Sequence, residues 1–173
     1  SGQGTTSEKI KDAWVFIDEE FVGAYELPAR IPLLANGDKN IQIYPGIYKS
    51  GVQDTRVIYP FYTYFDTTYN LVPDETVHVS PHITYQDDLE WWVEDFEDPS
   101  FKWTLFNTNS DTTMFVADNI TYPSMDLFEG KAGVIQMSDN NIYCEMRTDE
   151  PLFNDLPTQL SQDAYMELNY KCN

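Results

Sequence analysis

Short runs of apolar and aromatic residues, separated by turn-forming residues, set the pattern of this chain. Trp14-Val15-Phe16-Ile17 predicts a strand, Asp18-Glu19-Glu20 a turn, and Phe21-Val22-Gly23-Ala24-Tyr25 the returning strand. Leu27-Pro28 and Ile31-Pro32 interrupt any ladder, because proline has no backbone N–H to donate. Asn36-Gly37-Asp38 carries a hairpin signature, with Leu33-Leu34 leading in and Ile41, Ile43 and Ile47 leading out, bent at Pro45-Gly46. A second turn is expected near Ser50-Gly51. An aromatic and aliphatic run from Val57 to Phe65, interrupted only by Pro60 and Thr63, follows and extends to Leu71. Pro73-Asp74-Glu75 turns it back into Val77, Val79 and Ile83, which alternate with polar residues. Further strands are expected at 102–106, 113–117, 133–137, 142–146 and 165–170. No amphipathic helix is expected, and 89–96 holds at most one helical turn. The predicted fold class is all-β: a flexible leader at 1–9, a small β-sandwich at 10–84 and a second β-domain at 85–173.

Composition sharpens the division. Of 173 residues, 42% are hydrophobic and 15% aromatic, too many core formers for a disordered chain. The net charge is -19, and it is unevenly spread. Residues 1–83 hold 11 acids and 6 bases, whereas 84–173 hold 18 acids and 4 bases. Such a surface repels nucleic acid and anionic lipid, so neither is an expected partner. No apolar run is long enough to span a bilayer as a helix.

Little in the sequence points to catalysis. A Gly-x-Ser-x-Gly elbow, a glycine-rich phosphate loop and a dinucleotide fingerprint are all missing. His78 and His82 flank Pro81 in a strand-like stretch, a poor setting for helical metal-ligand spacing. With only Cys144 and Cys172 beside them, zinc is not expected. The two cysteines are open to pairing across neighbouring strands or to remaining free thiols. Acids are so abundant that any carboxylate pair is weak support for glycoside hydrolysis, which stays the least favoured reading. The chain ends three residues after the alternating run Tyr165–Tyr170, so it is expected to be a piece of a longer protein.

Aromatic residues are the main resource for binding. Tyr59, Phe61, Tyr62 and Tyr64 crowd one stretch; Trp91 and Trp92 lie near the expected domain boundary. Strand alternation would place one set in a core and leave another as a platform for a sugar ring or a protein partner. At least one of Trp91 and Trp92 is expected in packing between the two parts.

Residues 13–43 resemble a PEGA-like small β-domain: Ala13-Trp14-Val15-Phe16-Ile17-Asp18, then Gly23, Tyr25, Leu27-Pro28, Ile31-Pro32-Leu33-Leu34, Gly37 and Ile41-Gln42-Ile43. Asp18-Glu19 stands where that pattern has Asp-Gly. The wider chain, through Tyr44-Pro45-Gly46-Ile47, Arg56-Val57-Ile58-Tyr59-Pro60-Phe61-Tyr62 and Trp92-Val93-Glu94-Asp95-Phe96-Glu97, resembles exported lipoproteins of Bacteroidota. There the Glu-Asp-Phe-Glu segment resembles the first strand of a jelly roll, similar to carbohydrate-binding or laminin-G-like modules. The resemblance implies a lipid-anchoring cysteine before Ser1, an outer-membrane location and a non-catalytic role. That role is accessory subunit of an outer-membrane protein assembly or, alternatively, binder of a surface glycan. Jelly rolls of this kind often carry structural Ca²⁺ near the first strand, which implies Glu94, Asp95 and Glu97 as ligands. The residues themselves, seven carboxylates between Asp87 and Asp98, read first as a solvated acidic linker and second as a Ca²⁺ site.

Overall fold

The computed structural model describes residues 7–99, 102–128, 130–156 and 163–172. The chain divides into two compact units between Glu90 and Trp91. The fold is all-β and sandwich-like. Every paired strand among the described residues is antiparallel, and helix is confined to two 3₁₀ turns, Lys49–Gly51 and Pro123–Met125.

The first unit is built on five strands: β1 (Asp12–Ile17), β2 (Glu20–Glu26), β3 (Gly37–Tyr48), β4 (Arg56–Ile58) and β5 (Phe65–Leu71). The sheet runs β2-β1-β3-β4, and β5 pairs with the first half of β3. The β1–β2 connection takes positive φ at both Asp18 (48°) and Glu19 (68°), a backbone that suits glycine better than either residue. Asp18 offsets that strain with its own carboxylate. Its Oδ2 accepts from Lys39 Nζ at 2.6 Å and its Oδ1 from the Asn40 amide at 3.0 Å, so the turn is tied to β3. The core lies on the face carrying Ala13, Val15, Ile41, Tyr59 and Leu71, all buried.

Four sequence expectations are corrected in detail. Residues 27–36 form no strand, so Asn36-Gly37-Asp38 closes no hairpin; Gly37, at φ 73°, starts β3 instead. Strand β3 runs unbroken through Pro45, whose missing N–H is no loss there because its carbonyl does the pairing, accepting from Tyr59 N at 2.9 Å. The alternating residues Val77 to Ile83 are not a strand. Pairing resumes only at Thr84 and Tyr85, where Tyr85 bridges Tyr62 and Thr63 N donates to Thr84 O at 2.7 Å. The run 165–170 is assigned to no strand.

The second unit shows two antiparallel pairs, β6 (Trp103–Leu105) with β9 (Met146–Thr148), and β7 (Met114–Asp118) with β8 (Lys131–Ile135). Strand β9 begins where the sequence pattern expected a strand to end: Ile142 to Glu145 are not strand, although Glu145 O accepts from Phe106 N and Tyr143 O from Asp111 N, each at 2.9 Å, and Ile142 is largely exposed. Ala117 of β7 is fully buried.

Glycine is required at position 46. A Cβ built there would lie 2.7 Å from Trp14 Cδ1 and Nε1 and 2.9 Å from Asp12 Cβ. The indole lies directly over the β3 backbone. Gly46→Ala is expected to displace it and to cost about 1–3 kcal/mol, the usual price of overpacking, read as a lower urea midpoint with an unchanged slope.

Candidate binding surfaces

Cross-strand partners share a face of a sheet. Opposite the core, the first sheet therefore presents Trp14 and Phe16 from β1, Phe21 from β2, Asp38, Asn40, Gln42 and Tyr44 from β3, and Asp66, Thr68 and Asn70 from β5. Solvent exposure confirms which way this face looks. Along β5 the residues Asp66, Thr68 and Asn70 are exposed, while Phe65, Thr67, Tyr69 and Leu71 turn inward.

The open face has two halves. One is an aromatic row across the strands. Phe21 packs on Trp14 (centroids 5.5 Å) and Phe16 (5.2 Å), Phe16 on Tyr44 (5.3 Å), and Tyr44 stacks on Tyr64 (4.4 Å, 15° between planes). Phe21 and Tyr64, at the two ends, are 54% and 45% exposed. The row crosses β2, β1 and β3 and ends on Tyr64, the residue before β5, a span of roughly 15 Å at ordinary strand spacing. Burial, followed by the neighbouring Tyr64 and Asp66, raises the Tyr44 phenol above its ordinary 10.0.

The other half is polar and pre-ordered. Asp66 accepts from Asn40 Nδ2 at 2.6 Å and from Gln42 Nε2 at 3.0 Å, and Asp38 accepts from Asn70 Nδ2 at 2.7 Å. The bonds from Gln42 and then Asn40 hold the Asp66 carboxyl below its ordinary 3.8. The only cation on this face among the described residues is Arg56, at one corner, where it pairs with Asp12 and Glu26 and lies over the Tyr48 ring.

The sequence-predicted aromatic residues separate. Tyr59 is 4% exposed and stacks edge-on with Phe61 and Tyr62, and Tyr62 in turn packs on Tyr85. Tyr64 alone of that stretch joins the open row. The sequence pattern places Trp14, Phe16 and Phe21 on strands and Tyr44 in the run resembling exported lipoproteins, and marks none of the four as a binding residue. The spacing of Trp14 and Phe16 at i, i+2 was the one signal that they share a face; nothing in it told which face stays open.

In the second unit, Trp91 is 36% exposed, and Trp92 is half-buried and set edge-on against Trp103 with centroids 5.8 Å apart. Trp92 lines an open cleft of about 360 Å³ together with Lys102, Thr148, Asp149, Glu150, Pro151 and Leu152. The three acids considered for Ca²⁺ are engaged in chain geometry. Glu94 Oε1 accepts from Phe96 N at 2.9 Å, Asp95 Oδ1 from Glu97 N at 3.1 Å, and Glu97 Oε1 from Lys131 N at 2.7 Å. Among the described residues no three His, Cys, Asp or Glu side chains are grouped to hold a metal ion. Cys144 and Cys172 are free thiols.

Among the described residues, carboxyls that sit below their ordinary values include Asp18 through Lys39, Asp66 through Gln42, Asp118 through the Thr121 amide, Asp126 through Lys171 and Glu145 through Tyr143. A carboxyl depressed in the folded state stabilises the fold above its unfolded pKa, and that contribution fades as pH falls through the folded pKa. Thermal stability is therefore expected to be flat between about pH 5 and 7 and to decline below about pH 4, as a pH series of melting curves would show. Comparison of the chain with known protein families, curated proteins and solved structures finds no match.

Proposed function

We propose that this chain is a non-catalytic binding module that holds a glycan on the open face of its first sheet. One observation carries the reading: a continuous aromatic row lies on the solvent side of a sheet whose opposite side is the core. Aromatic rings offer a flat apolar surface to the C–H face of a sugar, and the adjoining carboxylates and amides offer acceptors and donors to its hydroxyls. The face carries Asp38 and Asp66 on its polar half and no unpaired cation among the described residues, so the ligand it suits is neutral rather than uronic or sulfated. Affinity electrophoresis in gels containing neutral β-glucan, mannan or xylan tests this, with polygalacturonate as the anionic counterpart. Retardation by at least one neutral polymer supports the proposal; retardation only by polygalacturonate, or by none of the four, sinks it.

The proposed setting, tethered by lipid to a bacterial outer membrane, rests on the sequence resemblance. No helix among the described residues is long and apolar enough to cross a membrane. A second reading, as accessory subunit of an outer-membrane protein assembly, is favoured by exposed apolar residues in the second unit. Met166, Leu168 and Tyr170 are each more than two-thirds exposed at period two. A pull-down from detergent-solubilised envelope tests it, and a stoichiometric membrane partner lost in a Met166→Ser/Leu168→Ser variant is the supporting result.

A further inference from the structure

We infer that the Trp92 cleft of the second unit is a separate binding site for a single neutral hexopyranose ring. It is independent of the open sheet face, lies in the other compact unit and rests on different observations. The cleft sits at one end of the β6–β9 pair. Lys102 precedes β6, Thr148 closes β9, and Asp149 N donates to Lys102 O at 3.3 Å, so both rims are joined through the backbone. Trp103 opposes Thr148 in that pair and packs edge-on against Trp92, which fixes the indole that forms the wall. At about 360 Å³ the space is at the small end of ligand sites.

The chemistry of the rim narrows the ligand. Among the described residues, the Lys102 ammonium and the Asp149 and Glu150 carboxylates take part in no ion pair and no side-chain hydrogen bond. Charged groups gathered round an apolar wall without pairing to one another remain available as donor and acceptors. Trp92, Pro151 and Leu152 supply the apolar part. A ligand that fits needs one apolar face for the indole and hydroxyls that both accept from Lys102 and donate to the two carboxylates. A sugar ring has this combination. A simple anion meets two carboxylates, and a simple cation meets Lys102.

The test is titration of the whole chain with the methyl glycosides of glucose, galactose and mannose, followed by ¹H–¹⁵N NMR to tens of millimolar. The expected result is saturable shifts of the Trp92 indole and the Lys102 and Thr148 amides with at least one glycoside. Affinity should fall at least tenfold in Glu150→Gln/Asp149→Asn and be unchanged in Tyr64→Ala. The surface double variant is the primary one because it leaves the Trp92–Trp103 packing in place; Trp92→Leu is the harsher companion. Shifts with none of the three sugars, or shifts that survive unaltered in both cleft variants, overturn the inference. Polymer retardation that is lost in Tyr64→Ala while the cleft stays silent would leave the sheet-face reading standing and remove this one.

Discussion

Arg56→Met is expected to lower the melting temperature of the first unit by more than about 10 °C. The cause is its partner. Asp12 opens β1 and is fully buried; Arg56 Nη1 donates to its Oδ1, and its Oδ2 has no partner. With the guanidinium gone, the carboxylate stays buried on the Trp14 side of the sheet with no counter-charge. An uncompensated buried charge costs about 3–5 kcal/mol. Each kcal/mol moves the midpoint of a domain this size by roughly 4–8 °C. Arg56 also reaches Glu26 at 3.3 Å, the Tyr48 hydroxyl at 3.5 Å and the Tyr48 ring at 5.1 Å; the Glu26 pair is exposed and solvent-screened, so Glu26→Gln is expected to change little. The double variant Asp12→Val/Arg56→Met should recover most of the loss, because exchanging both partners for apolar groups removes the stranded charge. Calorimetry of the three variants decides it. An Arg56→Met protein melting within 2–3 °C of the parent, a shift worth roughly 0.5 kcal/mol, would show that Asp12 is not stranded.

Tyr44→Ala/Tyr64→Ala is expected to abolish retardation by neutral polysaccharide. These two rings stack at 4.4 Å, the closest contact in the row, and Tyr64 is its exposed end. Anchoring aromatic residues of a binding surface are commonly worth about 2 kcal/mol or more, roughly a thirtyfold loss of affinity each. Neither ring belongs to the buried set on the opposite face, so the double variant should keep a cooperative melt close to the parent's. Binding retained within threefold would remove the sheet face from the reading. Phe61→Ala is the matched control. It also deletes an aromatic ring, but one packed on buried Tyr59, so it should lower stability while leaving the affinity of the folded fraction intact.

Much of the first unit was legible locally. The hairpin from Trp14 to Tyr25 follows from two apolar runs around a three-residue acidic turn, and the structure places β1 and β2 on either side of Asp18-Glu19. Where the same rules failed, the missing element was a partner strand. Asn36-Gly37-Asp38 has hairpin residues, but the Pro-interrupted stretch before it offers no strand for β3 to pair with. Instead β3 pairs with β1 and β5, both distant in sequence. Val77 to Ile83 alternates well and forms no strand, because alternation describes a side-chain pattern, whereas a strand also needs neighbours for its backbone groups.

The sequence by itself determined that this protein is all-β, acidic, rich in aromatic residues and without a recognisable catalytic motif. Those properties are sums or short-range patterns, carried by residue type and by spacings of a few positions. Tertiary structure alone decided which aromatic residues are exposed. Tyr59 and Tyr64 lie five residues apart in one run, yet one is in the core and the other ends the open row. The difference arises because the chain leaves β4 after Ile58 and re-enters the sheet at Phe65 on a different part of β3. Trp14, Phe16 and Tyr44 become neighbours only when β1 pairs with β3, and Trp92 meets Asp149 and Glu150 only across the β6–β9 pair. A binding surface assembled across strands depends on register between distant segments, and a linear pattern does not encode register beyond its own turn.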